Sequence, residues 1–247
     1  VMKVYGLIGY PLSHSFSKGF FAEKFAREGI QGCVYDSFSL PAITGLTPLM
    51  AQYGEDLQGL NVTIPYKEAV IPYLDELSPA AAKMKAVNCI RFINGRKIGH
   101  NTDAIGFRRS LEPLLQPHHN NALVLGTGGA AKAVQYVLEA LNIPYQLVSR
   151  QAGVGTSSYE TITAEMIATH TLIINTTPLG MYPNVDAAPA LPYEGINEKH
   201  LLYDLIYNPA ITAFLQKGAD RGATIKNGHE MLILQAEASW EIWNEKI

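Results

Sequence analysis

Cysteine is nearly absent from this chain: Cys33 and Cys89 are the only two in 247 residues. They lie far apart and form no CxxC pair, so no disulfide framework is expected and a reducing, cytoplasmic setting is. No run of about 18 apolar residues occurs, so no membrane span is expected. The opening stretch, Val1 to Tyr10, is short, interrupted by glycine and stopped by Pro11, which does not fit a secretory leader. Charge of one sign is also lacking. There are 19 basic and 22 acidic residues, a formal net charge of −3, and no long basic run, which argues against nucleic acid or an anionic membrane as partner. Internal repeats and low-complexity tracts are missing too. His229-Glu230 is not a zinc motif, because HExxH would need histidine where Ile233 stands, and no metal is expected. What is present is apolar sequence, 47% of the chain, enough for the cores of two domains.

The strongest local signal lies mid-chain. Ala122-Leu123-Val124-Leu125 runs into Gly126-Thr127-Gly128-Gly129-Ala130-Ala131, and an apolar helical stretch follows to Leu141. Strand, glycine turn and helix in that order make a dinucleotide phosphate site. The glycines permit the turn and the close approach of a pyrophosphate, Ala131 lets helix pack on strand, and the helix N-terminus offers free N–H groups. The next strand ends Val148-Ser149-Arg150, with no carboxylate before Glu160. An acid there would bind the ribose hydroxyls of NAD; an arginine suits the 2′-phosphate of NADP. NADP is therefore the expected cofactor. A methyltransferase also uses such a turn but wants an acid on the second strand. The plain structural alternatives are an ordinary turn and a solvated Arg150.

About 120 residues precede this turn, room for a separate domain. Strand signals fall at Lys3–Ile8, Cys33–Phe38 and Leu57–Val62, and helix signals at Phe16–Glu28 and Ala42–Tyr53. Val87–Ile93, Asn94-Gly95 and Arg96–His100 read as a hairpin, giving an α/β unit with a partly antiparallel edge. A helix from Ala104 to about Glu112 leads into the second half. There, strands are expected at Tyr145–Ser149, Thr171–Asn175, Leu201–Ile206 and Ala223–Lys226 in βαβ order, hence a doubly wound parallel sheet of Rossmann type. Only about eight residues separate Arg150 from a weak strand signal at Tyr159, too few for the usual crossover helix. Met231–Trp243 reads as an amphipathic helix. The expected domains are 1–103, with a helix over 229–247 packing back on it, and 104–228.

The first half carries polar residues where strands end: Ser13-His14-Ser15-Phe16-Ser17, Asn61 to Lys67, Asn88, and Asn101-Thr102-Asp103. Ligands of open α/β sheets bind beyond the carboxyl ends of strands. Hydroxyls, amides, one ammonium and one carboxylate suit a small polyhydroxylated acid. Each residue also has a structural alternative. Ser15 and Ser17 could cap a helix, as could Asp103; Lys67 could be a surface residue and Asn88 a turn former.

On these strings the chain resembles the shikimate dehydrogenase family over nearly its full length. Gly9 to Ser17, Asn61 to Lys67, Ala86-Val87-Asn88, Asn101-Thr102-Asp103, Gly126 to Ala131, Asn175 to Met181, Asp204 to Pro209 and Met231 to Ala236 carry the resemblance in the right order. It implies reversible NADP-linked reduction of 3-dehydroshikimate to shikimate, a step of chorismate and aromatic amino acid biosynthesis. It further implies that Ser15 and Ser17, helped by Tyr207, bind the substrate carboxylate. Thr63, Asn88, Asp103 and Gln235 would hold ring hydroxyls and the reacting oxygen. Lys67 and Asp103 would form the catalytic pair. Gly126, Thr127, Gly128, Gly129, Ala130, Ser149 and Arg150 would take the cofactor phosphates, and Leu205 and Gly228 the nicotinamide side. The partner expected is a small-molecule substrate, bound by a monomer or homodimer. The family usually has Asn at Tyr10, Pro at Lys18, Gly at Ala104 and Thr at Gln151. A quinate/shikimate dehydrogenase with relaxed cofactor choice and a non-catalytic NADP-binding sensor are the rival readings.

Overall fold

Two compact units make up the chain in the computed structural model, which describes residues 2–13 and 15–245. Residues up to Thr102 and from Gln235 onward form the first, and Asp103–Leu234 the second. Val1, His14 of the serine-rich string, and the last two residues of the helix expected over 229–247 lie outside the described residues.

The first unit is built from β1 (Lys3–Gly9), α1 (Phe16–Arg27), β2 (Cys33–Ser39), α2 (Leu46–Tyr53), β3 (Leu57–Val62), β4 (Glu76–Leu77), α3 (Pro79–Met84), β5 (Cys89–Ile93) and β6 (Arg96–His100). The sheet order is β2-β1-β3-β5-β6-β4. β1 runs parallel to β2 and β3, whereas β5 is antiparallel to β3 and β6. Asn94 and Gly95 have φ of 51° and 73°, both positive as a type I′ hairpin requires. Helix α1 forms where Phe21 and Phe25 recur four residues apart and bury together. Ser15 caps its start, and Gly29 at φ +63° turns the chain away after its end. The helix expected over Ala42–Tyr53 is instead a 3-10 turn at Ile43–Gly45 followed by α2.

The chain enters the second unit through α4 (Thr102–Leu111). There follow β7 (Ala122–Leu125), α5 (Gly129–Ala140), β8 (Tyr145–Ser149), β9 (Thr156–Ser158), α6 (Ala164–Thr169), β10 (Leu172–Asn175), β11 (Leu201–Asp204), α7 (Ala213–Ala219), β12 (Thr224–Lys226) and α8 (His229–Asn244). Every paired strand in this sheet is parallel, in the order β12-β11-β10-β7-β8-β9. Read from the other edge this is the 3-2-1-4-5-6 order of a dinucleotide-binding sheet, with its switch point between β7 and β10. The four residues of β7, of β10 and of β11 are all buried, as expected of a sheet covered on both faces.

No helix links β8 to β9; residues 150–155 alone make the return. The strand sits slightly before the expected position, and Tyr159–Thr161 is a 3-10 turn. So short a parallel return is possible because β9 pairs only with the last three residues of β8, Leu147↔Thr156 to Ser149↔Ser158. The chain needs to drop back only about 7 Å, two strand rises.

Helix α8 starts in the second unit and ends in the first. The Trp243 indole N–H donates to the Ile90 carbonyl at 3.0 Å. Its ring lies so close over β3 that a Cβ on Gly59 would stand 2.3 Å from it, so glycine is required there.

Candidate functional site

In the first unit, β1 and β3 run side by side and end on the same edge of the sheet, while β5 starts there. Thr63 N–H donates to Ile8 O at 2.9 Å and Val62 N–H to Asn88 O at 2.8 Å. Val87 N–H donates to Lys67 O at 2.8 Å, which ties the turn carrying Lys67 to the entry of β5. Ser15, in the loop after β1, caps α1, its Oγ accepting the Lys18 N–H at 3.3 Å. Capping uses only a lone pair of the Ser15 oxygen and does not engage its proton. The Tyr35 phenol donates to Asn61 Oδ1 at 2.9 Å, and burial pushes it far above its ordinary range. Thr63, Lys67, Ser15 and Ser17 are half-buried, and Asn88 is buried. Gln235 lies on α8 where the chain rejoins this unit. Asp103, half-buried, is the second residue of α4, one peptide beyond Thr102.

Lys18, where the family usually has proline, places its ammonium 2.6 Å from Asp36. That bond, with the Ser37 N–H, holds the Asp36 carboxyl below its ordinary range.

In the second unit the glycine turn leaves β7 at the switch point. Gly126 has φ of +103°, and a Cβ there would meet Thr176 Oγ1 at 2.6 Å. Gly128 caps α5 without any side-chain bond, and a Cβ on Gly128 or Gly129 would meet nothing within 4 Å. Thr127 to Ala130 are exposed and Ala131 is buried against the sheet. An uncapped helix N-terminus opening on free space fits a dinucleotide phosphate. Arg150 is exposed at the end of β8, the strand whose Val148 carbonyl accepts the Gly126 N–H at 2.8 Å. Ser149 turns its hydroxyl to the Gln151 carbonyl at 2.8 Å, shaping the short loop.

Leu205 and Gly228 come together: a Cβ on Gly228 would fall on the Leu205 carbonyl oxygen, so only glycine fits. Tyr207 is exposed in the loop after β11 and belongs to the second unit, unlike Ser15 and Ser17.

One charged residue here was not singled out by sequence reasoning. Asp204 ends β11 with no exposure. Its Oδ2 accepts the Thr212 hydroxyl at 2.6 Å, and its Oδ1 accepts Asn175 Nδ2 and the Ile206 N–H, both at 3.1 Å. Burial nevertheless pushes its carboxyl up to about 6. Asp204 thereby ties the loop of Leu205 and Tyr207 to the end of β10. A lone acid closing an apolar strand was the available signal. Asn61, likewise a polar residue inside an apolar strand, is buried and hydrogen-bonded on both ends of its amide.

Among the described residues no group of three or more His, Cys, Asp or Glu could hold a metal ion, and no helix is long and apolar enough to cross a membrane.

Residues 7–90 match the family model of the shikimate dehydrogenase substrate binding domain. The shikimate dehydrogenase (NADP(+)) of Carboxydothermus hydrogenoformans is 37% identical, over 98% of this chain and 91% of its own length. The Thermus thermophilus shikimate 5-dehydrogenase, solved with NADP(H) and shikimate, superposes with a TM-score of 0.86 at 29% identity, covering 100% of this chain and 95% of that one. A ligand-free 5-ketofructose reductase of Gluconobacter has a TM-score of 0.89 at 25% identity, with 100% and 94% covered. The matched segment 7–90 holds Ser15, Ser17, Thr63, Lys67 and Asn88, and the identity extends over nearly the whole chain: the protein belongs to the shikimate dehydrogenase family.

Proposed function

We propose that this protein interconverts 3-dehydroshikimate and shikimate with NADP(H), in the synthesis of chorismate and the aromatic amino acids. The observation that carries this reading is the collection of Ser15, Thr63, Lys67 and Asn88 on one edge of the first sheet. There, hydroxyl, ammonium and amide groups can meet a polyhydroxylated acid. NADP, when bound, supplies or accepts the hydride. Gly126 to Ala130 would hold its pyrophosphate on the N-terminus of α5, and Arg150 would take the 2′-phosphate, with Ser149 shaping the loop that presents it. Leu205 and Gly228 would border the nicotinamide.

The remaining work falls to side chains of this protein. Ser15 donates its hydroxyl proton to the substrate carboxylate, with Ser17 and Tyr207 as further contacts. Thr63, Asn88 and Gln235 hold ring hydroxyls and so fix which carbon can react. In the reducing direction negative charge builds on the carbonyl oxygen. The Lys67 ammonium stabilises that charge and gives up a proton to it, and Asp103 orients Lys67 and the new hydroxyl. In the oxidising direction the same pair takes the proton away. The free state of Cys33 and Cys89 supports a reducing, cytoplasmic location.

The test follows reduced nicotinamide absorbance with shikimate and with quinate, each with NADP and with NAD. Turnover is expected with shikimate and NADP. Comparable rates with quinate would make the enzyme a quinate/shikimate dehydrogenase, and no turnover with either acid would favour a sensor or a reductase of another carbonyl compound.

A further inference from the structure

Five polar side chains inside the first unit, Tyr35, Asn61, Asn88, Thr102 and Ser239, form one continuous hydrogen-bonded chain. Ser239 lies on α8, one turn beyond Gln235, and has no exposure. Its hydroxyl donates to the Gln235 carbonyl at 3.0 Å, leaving its lone pairs as acceptors. Asn61 Nδ2 takes one at 2.9 Å. The Thr102 hydroxyl stands 3.2 Å away and, with the Ser239 proton already committed, Thr102 is the donor. Thr102 Oγ1 then accepts Asn88 Nδ2 at 2.9 Å, while the Thr102 N–H donates to Asn88 Oδ1 at 2.6 Å.

The two asparagines end up different. Asn61 has both N–H groups committed: they go to Asn88 O at 3.2 Å and to Ser239, while its oxygen takes the Tyr35 hydroxyl at 2.9 Å. Asn88 has its oxygen and one N–H fixed by Thr102, which leaves the second N–H for a further acceptor.

We propose that Ser239 is a positioning residue for substrate binding, its hydroxyl fixing the Asn88 amide through Thr102. Without the Ser239 oxygen, an Asn61 N–H is stranded in a dry interior. The Thr102 proton turns to Asn88 Oδ1, 3.3 Å away, where it competes with the Thr102 N–H and turns the Oγ1 lone pair from Nδ2. The inference rests on the shikimate dehydrogenase reading.

Steady-state kinetics of the full-length protein test it. Ser239→Ala should lower kcat/KM for shikimate about tenfold, the scale of one lost buried hydrogen bond, with a raised KM for shikimate and an unchanged KM for NADP. Thr102→Val, which cuts the same link from the other side, should give the same signature, and the double variant should lose no more than either single one. If Ser239→Ala fails to fold, Thr102→Val carries the test through its two KM values. Wild-type kinetics in the variants, equal rises in both KM values, a fall in kcat with both KM values unchanged, or multiplicative losses would overturn the inference. A wild-type enzyme that does not oxidise shikimate would overturn the functional reading, and this inference with it.

Discussion

The two sheet edges that carry the candidate site are built from different chemical parts. In the first unit the polar groups are side chains, and the buried ones are held by one another: Asn88 by Thr102, Asn61 by Tyr35 and Ser239. In the second unit the groups offered at the glycine turn belong to the main chain, at the uncapped start of α5. Main-chain N–H groups suit phosphate, which any dinucleotide has. Side chains in a fixed network suit one arrangement of ring hydroxyls. On the proposed reading, the contrast teaches that selectivity for the substrate would depend on packing gathered from across the sequence, and affinity for the cofactor on a local turn.

The comparison can be broken at its strongest point first. Lys67→Ala should lower kcat by roughly 10²–10⁴-fold, the range for a lost proton-transfer group, while leaving NADP binding intact. Rates in both directions, with NADP affinity by fluorescence titration, check this; near-normal turnover would remove Lys67 from the reaction.

The second test concerns the one buried carboxylate that braces the second unit. The Asp204 carboxyl titrates near 6 when folded against an ordinary 3.8. The folded state therefore holds its proton more tightly than the unfolded state. Stability from that proton is fully present below about pH 4 and is lost as pH rises through 6, a cost of roughly 3 kcal/mol. Urea unfolding of the wild type across this window should show the decline on top of other titrations. Asp204→Asn, which has no proton to lose, should be less pH-dependent by that amount; identical profiles would refute the assignment.

Arg150→Ala should give the smallest effect of these three. Loss of a charge-assisted contact to phosphate is worth about 1.5–3 kcal/mol, and it should fall on NADP and spare NAD. Parallel measurement of both cofactors decides, because equal losses would place Arg150 away from the 2′-phosphate.

The same contrast explains what could be read from the amino acids. The second unit was legible because its signals are local: apolar strand, glycine turn, helix, then Arg150. Even the missing crossover helix showed in the short spacing after Arg150. The small elements α3, α6, α7 and β4 carried no comparable pattern, since helices of six or seven residues and a two-residue strand depend on tertiary packing. Family resemblance pointed to Ser15, Thr63, Lys67 and Asn88, but the residues that brace them were another matter. Asn61 and Thr102 sat inside the motif strings without an evident role, and Ser239 had no signal at all. A buried serine on a helix looks like any other until its neighbours, 137 and 178 positions away, are known.

The Trp243 ring against Gly59 gives this protein an unusual history during synthesis. The first unit needs Trp243 and Ser239, which are made only after the whole of the second unit, to seal β3 and its polar interior. The unit from Asp103 to Leu234 is continuous and has all its strands before those residues are added. Translation runs from one end to the other, but completion does not: the second unit can close while α8 is still being made, and the first waits until α8 has emerged.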